Sequence, residues 1–304
     1  MTRFTETEVT VKIKNSNKLN TEVRQNMKRN KKRVIPGFGL TMGVTITMLS
    51  IVVLIPLASL VVYSSQLGLK EFFEVITRRR VLSSFYVSFI TALIASLING
   101  VMGLIIAWVL VRYEFPGKKI MDGMLELPFA LPTAVAGISL TSLTSDNGLI
   151  GSFFARFGIR IAYTKVGITF ALIFVGIPFV ARAVQPVLEK LDGSYEEAAK
   201  VMGAKPGYIF RRVILPELLP PLLTGTGLAF GRCLGEYGSV VFIAGNRPFE
   251  TEITPLIIMS ELQEYDYTSA TSIALVMLVV SFLLLFILNL MQARNSRRLR
   301  GGNA

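Results

Sequence analysis

The 304-residue sequence is 52% hydrophobic, has a mean hydropathy of +0.55 and carries 32 Lys and Arg against 20 Asp and Glu, a formal net charge of +12. This composition is too apolar for an ordinary soluble domain, and the charges lie between apolar stretches, which favours a membrane surface over nucleic acid as the partner. The absence of histidine excludes histidine triads and histidine metal sites, and the single cysteine, Cys233, excludes an intrachain disulfide and a cysteine metal cluster. We therefore expect no metal site.

Residues 1–36 form a polar segment that is rich in Lys and Arg. It lacks the apolar periodicity of a packed core, a composition that is typical of mobile tails. The apolar run that comes next is too long for a signal peptide, and no small-residue cleavage site follows. We therefore expect a basic cytoplasmic tail at residues 1–36 that acts as an orientation signal.

Six apolar stretches follow this tail, and each is long enough to cross about 30 Å of hydrocarbon as a helix with a rise of about 1.5 Å per residue. Backbone polar groups in lipid must be satisfied internally, so each stretch is predicted to be helical. The sequence thus predicts an all-α integral membrane protein with six transmembrane helices within residues 37–292 and a second basic cytoplasmic tail at residues 293–304. The predicted spans are residues 38–62, 84–111, 122–144, 166–187, 218–244 and 270–291.

The distribution of charge predicts the orientation of the chain. Lys and Arg are concentrated in the N-terminal tail, in the second and fourth connections and at the C-terminus, which the positive-inside rule places in the cytoplasm. The fifth connection is acidic and is expected on the opposite side. The first connection is an exception because it contains Arg78, Arg79 and Arg80. We expect it to be translocated because the longer N-terminal cluster outweighs these three residues, so both termini are cytoplasmic.

Two prolines four residues apart, Pro128 and Pro132, interrupt the third predicted span. Each proline removes a backbone donor and frees a carbonyl on one face of the helix. The segment is then either a kinked packing helix or a bent, flexible segment that lines or gates a pathway. Pro128 and Pro132 are candidate pathway residues under the second interpretation.

The fifth predicted span contains two charged residues, Arg232 and Glu236, and charges inside a span are costly. Their spacing of four places them on one helix face, where they can form an ion pair. One interpretation is a self-neutralising pair that only secures helix packing. The other is a pathway in which Arg232 attracts an anion and Glu236 limits how tightly the anion is held.

An amphipathic segment at residues 194–216 lies between the fourth and fifth spans and reads EEAAKVMGAKPGYIFRRVILP from Glu196 onwards. Helix formers precede Gly203, and the Lys-Pro-Gly run after it breaks the helix. We expect two short helices joined by a bend outside the bilayer, with the second ending at Pro216. A basic amphipathic segment that rests on lipid headgroups is the simpler alternative.

The residue spacing of the amphipathic segment resembles the EAA loop of ABC-importer permeases. The Glu-Ala-Ala run, the glycine and the final Leu-Pro match that pattern, while Val213 stands where the family usually has Ile. The resemblance implies that the segment docks on a cytoplasmic ATPase. The residues implied in this docking are Glu197, Ala198, Ala199, Gly203, Phe210, Leu215 and Pro216.

Three motifs together, ELPFALPTAVAGISL, the amphipathic segment and GRCLGEYGSVVFIAGN, resemble the permease subunits of sulfate/thiosulfate ABC importers. The resemblance implies a type I importer fold with its core at about residues 84–291, in the bacterial inner membrane as a multi-pass protein. It also implies a heterodimer with a related second permease, a cytoplasmic ATPase dimer, a periplasmic sulfate-binding protein, and sulfate or thiosulfate as substrate. No nucleic-acid partner is expected.

No nucleotide site is expected in this chain. A phosphate-binding loop needs Gly, four residues, then Gly-Lys-Ser/Thr, and the nearest run, Gly117-Lys118-Lys119, lacks the first glycine and the hydroxyl. The chain is then not an enzyme, needs no cofactor of its own and relies on a partner subunit to bind Mg-ATP. Two alternatives stay open: a molybdate or tungstate permease, and an ion-coupled secondary transporter of oxyanions, which would need inverted repeats that the sequence does not display.

Overall fold

A computed structural model of the protein describes residues 38–301, with side chains described for residues 38–290. The expected tail at residues 1–36 lies outside the described residues. Across the described range the chain forms helices joined by short turns and no β-strand, as the all-α prediction requires. In chain order the helices are α1 (Phe38–Ser64), α2 (Leu69–Thr77), α3 (Arg79–Arg112), α4 (Lys118–Met124), α5 (Leu127–Ala130), α6 (Thr133–Thr144), α7 (Leu149–Ala155), α8 (Lys165–Lys190), α9 (Ser194–Val201), α10 (Pro206–Ile209), a π-helical turn (Phe210–Ile214), α11 (Leu215–Leu234), α12 (Val240–Ile243), α13 (Thr254–Gln263) and α14 (Tyr267–Gly301).

The described chain consists of two units, divided between Ser59 and Leu60. The described part of the first unit is most of α1, an apolar helix whose side chains are almost all exposed. A helix that is apolar on every side is typical of a membrane span, because its surface is compatible with lipid and not with water.

Five helices in the described range are long and apolar enough to cross a membrane. They overlap the first, second, fourth, fifth and sixth predicted spans and confirm those stretches as apolar helices. Their bounds are Phe38–Ser64, Arg79–Arg112, Lys165–Lys190, Pro206–Leu234 and Tyr267–Leu290.

The core of the second unit lies where α3, α8 and α11 pack together. Ala107 of α3, Val180 of α8 and Ala229 of α11 are fully buried in one cluster. Small side chains at helix contacts let membrane helices approach closely, since dispersion rather than the hydrophobic effect drives their association. These three helices therefore form the scaffold on which the broken segments are placed.

The third predicted span, residues 122–144, is not one kinked helix, so the prediction of a single spanning helix there is wrong. The segment forms three helices, α4, α5 and α6, and the chain is extended at Leu131 (φ −85°, ψ 137°) before Pro132. Proline disfavours the helical conformation of the residue before it and cannot donate to the preceding turn, which explains the break. With 12 residues, α6 is about 18 Å long and is too short to cross the bilayer alone.

The predicted bounds of the fifth span, residues 218–244, are also wrong. The helical segment begins earlier, at Pro206, and ends at Leu234, after which Gly235 to Ser239 form a turn. Pro216 does not end a helix as expected, because it occupies the first turn of α11. The π-helical turn just before it widens the helix, which relieves the clash between a proline ring and the preceding carbonyls.

Two ion pairs lie at the two ends of α3 and show which connections share a face of the membrane. At the start of α3, Arg80 donates to both carboxylate oxygens of Glu252, at 2.9 and 2.6 Å. At the end of α3, Arg112 pairs with Glu196 of α9. The helix has 34 residues and is about 51 Å long, so the two pairs lie on opposite faces of a bilayer. The basic first connection therefore shares a face with the acidic fifth connection, where Arg78 pairs with Glu261 and Arg80 with Glu252.

We predict that the fifth connection and the amphipathic segment are accessible from opposite sides of the membrane. Glu264→Cys and Lys205→Cys are suitable positions because both native side chains are exposed, whereas Glu252 is buried in its ion pair. In a Cys233→Ala background, an impermeant maleimide should label Lys205→Cys from the cytoplasmic side and Glu264→Cys from the other. Labelling of both from one side would contradict the arrangement.

Candidate functional site

The amphipathic segment folds as predicted up to its bend. The Asp192 carboxylate accepts a hydrogen bond from the backbone of Ser194 at 2.9 Å, which lowers the pKa of Asp192, and α9 begins there. Glu196 and Glu197 lie in the first turn, where carboxylates interact favourably with the helix dipole. The predicted break is confirmed, since α9 ends at Val201 and α10 begins at Pro206.

Gly203 makes the bend possible. Its φ of +83° lies in the left-handed region, which side chains rarely adopt. The backbone N–H groups of Gly203 and Ala204 donate to the carbonyls of Lys200 and Ala199, at 2.9 and 3.0 Å. This pair of bonds is a Schellman motif, in which a glycine ends the helix and satisfies its last carbonyls.

The residues predicted to dock on a partner divide into two groups. Ala199 is buried, and Phe210, Leu215 and Pro216 are half-buried. These four residues therefore pack against the rest of the protein. Glu197, Ala198 and Gly203 are exposed and can be reached by a partner. Next to Gly203, the apolar side chains of Val201 and Met202 are 89% and 81% exposed. The bend therefore presents an apolar tip surrounded by polar residues.

Arg112 attaches the amphipathic segment to the core. It pairs with Glu196, and its guanidinium lies 5.4 Å from the ring centroid of Trp108. The Trp108 ring in turn meets the Phe210 ring edge to face, at 5.4 Å between centroids. Sequence reasoning used Arg112 only as an orientation signal. Its position at the end of a span, one helical turn after a lone tryptophan, was the available sign of a contact.

The expected ion pair between Arg232 and Glu236 is present, with 2.5 Å between the guanidinium Nη1 and the Glu236 Oε2. The two residues do not share a helix face as predicted, because α11 ends at Leu234 and Glu236 lies in the following turn. Glu236 is 2% exposed, and its Oε1 accepts hydrogen bonds from the backbone N–H and the hydroxyl of Ser239, at 2.8 and 2.9 Å. The carboxylate therefore holds the turn closed while it pairs with Arg232. We call Gly235–Ser239 the corner.

Arg232 is more accessible than its partner. Its side chain is 34% exposed, and among the described residues its ion pair is with Glu236. A buried carboxylate that has one counter-ion and two hydrogen bonds is well satisfied. The exposed part of the guanidinium can therefore meet a further anionic group without unpairing Glu236 completely.

The third segment, which we define as residues 118–144 (α4 to α6), is in close backbone contact with the corner. A Cβ atom added to Gly137 of α6 would lie 2.5 Å from the carbonyl oxygen of Ser239, and one added to Gly238 would lie 2.0 Å from the hydroxyl of Thr133. The residue before Thr133 is Pro132. The structure thus brings Pro132 next to the corner that carries Glu236, while Pro128 lies in α5, on the other side of the break.

The family model described as binding-protein-dependent transport system inner membrane component matches residues 99–301 of the chain. The sulfate transport system permease protein CysT of Salmonella typhimurium is 48% identical over 270 residues, which cover 89% of this chain and 98% of that protein. The protein of the same name from Synechocystis is 51% identical over 249 residues, which cover 82% of this chain and 87% of that protein.

Solved structures with the same fold are chains of ABC transporters. A chain of a bacterial ABC transporter that imports the polysaccharide alginate superposes with a TM-score of 0.71 at 15% identity, over 90% of this chain and 99% of that chain. A chain of the MetNI methionine ABC transporter in an inward-facing conformation superposes with a TM-score of 0.53 at 19% identity, over 71% of this chain and 94% of that chain. At these identities the likeness concerns the fold, and it agrees with the permease fold expected from the sequence.

Proposed function

This chain belongs to the family of binding-protein-dependent transport system inner membrane components, and we propose that it is the permease subunit of an ATP-driven sulfate importer. The observation that carries the proposal is 48% identity to a sulfate transport permease along 98% of that protein's length. A multi-pass location in the inner membrane accords with the family and with the apolar helices. Thiosulfate has nearly the same shape and charge as sulfate, and we include it in the substrate class.

The importer would consist of this chain, a related second permease, a cytoplasmic ATPase dimer and a periplasmic sulfate-binding protein. The amphipathic segment is the docking element for the ATPase in this proposal. Its apolar tip at Val201 and Met202 supports this role, because exposed apolar groups with a polar surround are typical of a protein interface. Mg-ATP would be bound by the partner subunit.

Arg232 is the candidate anion-attracting group on the pathway. A dianion in a region of low dielectric needs a compensating positive charge, yet a site that binds it too strongly will not release it. Glu236 competes with the anion for Arg232 and so limits its affinity. When Arg232 turns to an anion, the Glu236 carboxylate keeps its two hydrogen bonds from Ser239. The pair can therefore exchange partners at a moderate cost.

Pro132 is the second pathway candidate that the geometry supports. It lies in the extended break before α6, and α6 packs on the corner that carries Glu236. A movement of α6 at this break would displace the corner and with it the carboxylate that controls Arg232. Pro128 is a weaker candidate because it lies within α5, before the break.

The proposed function is tested by uptake of radiolabelled sulfate into vesicles that contain the reconstituted importer. We expect uptake to require ATP on the side of the ATPase and the binding protein on the other side, in the absence of any ion gradient. Uptake that follows an imposed ion gradient without ATP would contradict the proposal and favour a secondary transporter. Competition by molybdate in excess of that by thiosulfate would reassign the substrate within the oxyanions.

The role of Arg232 is tested by two variants. Arg232→Ala leaves Glu236 as a buried carboxylate without a counter-ion, so we expect less assembled protein and a loss of uptake of at least about tenfold, given the usual strength of charged hydrogen bonds. Arg232→Ala/Glu236→Gln removes both charges, yet glutamine keeps an acceptor for Ser239. This double variant should assemble normally and still transport poorly. Normal uptake by the double variant would remove Arg232 from the mechanism.

The bend at Gly203 is tested by substitutions that differ only in their tolerance of a positive φ. No atom lies within 4 Å of a Cβ added there, so the backbone conformation alone determines the cost. Gly203→Val should distort the bend and weaken ATPase association by about tenfold or more, because β-branched residues are strained at positive φ. Gly203→Asn should retain association, since Asn adopts this conformation readily. Equal association of both variants in a pull-down with the ATPase would contradict a role for the bend in docking.

A further inference from the structure

Arg182 of α8 lies at the centre of a polar cluster with Asp122 of α4 and with Glu126, in the turn between α4 and α5. Its Nη1 donates to Asp122 Oδ1 at 2.7 Å and to Gln185 Oε1 at 2.9 Å, and its Nη2 donates to the Asp122 carbonyl at 3.1 Å and to Glu126 Oε1 at 2.9 Å. Gln185 also donates to Asp122 Oδ1 at 3.2 Å. A planar guanidinium with several acceptors fixes the direction as well as the distance of its partners. We call these four residues the clamp.

The charge balance of the clamp indicates a mechanical role. Two carboxylates face one guanidinium, so the cluster carries an excess negative charge and does not attract an anion. Beneath the clamp, Leu110 of α3, Leu125 of the third segment and Ala181 of α8 are buried together. The start of the third segment, residues 118–130, is thus attached to the scaffold by both apolar and charged contacts.

The C-terminal end of α8 also packs against the amphipathic segment. Val184 and Leu188, in the last two turns of α8, are fully buried in one cluster with Ala199 and Ile209 of the amphipathic segment. One side of α8 therefore carries the proposed ATPase-docking element, and another side carries the clamp. A displacement of the docking element that moves the end of α8 must also move the clamp.

The third segment changes its attachment at the break. Residues 118–130, before the break, are attached to α8 by the clamp. After the break, α6 is attached to the corner by the contact of Gly137 with Ser239. A cavity of about 800 Å³ adjoins the clamp and is lined in part by Asp122 and Gln185, which leaves space for movement beside it. Relative movement of the two halves is then concentrated at Leu131 and Pro132, where the backbone is extended.

We propose that Arg182 is a positioning residue for transport: it fixes residues 118–130 to α8, so that movement of the ATPase-docking element reaches the break at Pro132 and, through α6, the Arg232–Glu236 pair. This inference rests on the proposed function. It adds a linkage between the docking element and the pathway that depends on one side chain.

The first test compares sulfate uptake with ATP hydrolysis in the reconstituted importer. Arg182→Ala should assemble with the ATPase and hydrolyse ATP, but the number of sulfate ions imported per ATP should fall at least about tenfold, the loss expected when several charged hydrogen bonds are removed. Lys119→Ala is the matched control, because Lys119 is an exposed cation of the same segment that forms no ion pair with the described residues. This control should keep the wild-type ratio.

A second variant separates positioning from simple charge compensation. If Arg182 only neutralises Asp122, then Arg182→Ala/Asp122→Ala should recover the wild-type ratio of uptake to hydrolysis, since no uncompensated carboxylate remains at that position. If Arg182 transmits movement, the double variant should assemble well and keep the low ratio. Recovery of the ratio in the double variant would overturn the proposal.

A covalent bridge supplies the complementary test. Arg182→Cys/Glu126→Cys, in a Cys233→Ala background with wild-type uptake, should show the low ratio of Arg182→Ala. A thiol-reactive linker about as long as the arginine side chain should restore the ratio, because it reattaches the third segment to α8. A linker that reacts fully and leaves the ratio low would contradict the proposal.

Failure of the inference and failure of the proposed function give different results. If the wild-type importer shows no ATP-dependent sulfate uptake, the proposed function is wrong and the ratio is not defined for any variant. If the wild type imports sulfate and Arg182→Ala imports it with the same ratio, the function stands and the inference is wrong.

Discussion

Backbone polar groups inside a bilayer must find partners within the protein, and this constraint determines where the apolar segments of this chain can break. Two of the breaks within apolar sequence of the described residues are those at Leu131–Pro132 and at the corner, Gly235–Ser239. The two regions lie against each other, with Gly137 in backbone contact with Ser239. The backbone N–H of Ser239, which no helix satisfies, donates to Glu236. A side-chain carboxylate thus takes the place of a helical carbonyl.

This use of a carboxylate explains why the charged pair Arg232–Glu236 occurs within apolar sequence at the end of α11. A glutamate that holds a turn inside the protein has to be buried, and a buried carboxylate needs a counter-ion. Arg232, one turn earlier, supplies it and keeps part of its guanidinium exposed. The sequence leaves a packing role and a pathway role of the pair as alternatives, and the structure makes the two roles compatible. Glu236 holds the turn, and its counter-ion Arg232 is the partly exposed group that we propose attracts an anion.

The sequence was sufficient for the features that follow from local rules. Apolar length located five helices, and Gly203 with Pro206 predicted the bend of the amphipathic segment. The spacing of Arg232 and Glu236 predicted their ion pair, but not the turn in which Glu236 lies. It was insufficient where distant segments decide the backbone. Pro132 predicts a kink in an isolated helix, but a full break is tolerated because the corner, more than 100 residues later, packs against it. The opposite error at Pro216, where a helix continues through a proline, arises because a π-helical turn absorbs the strain.

The two arginines within apolar segments differ in local charge balance, and this difference separates attraction of an anion from mechanical linkage. Arg182 faces two carboxylates, so a dianion that approaches it meets a net negative cluster. Arg232 faces one carboxylate, so the Arg232–Glu236 pair carries no net charge and does not repel an approaching anion as the clamp does. The break at Pro132 lies along the chain between the clamp and the corner, which places an extended stretch of backbone between the residue proposed to transmit movement and the residue proposed to attract the anion.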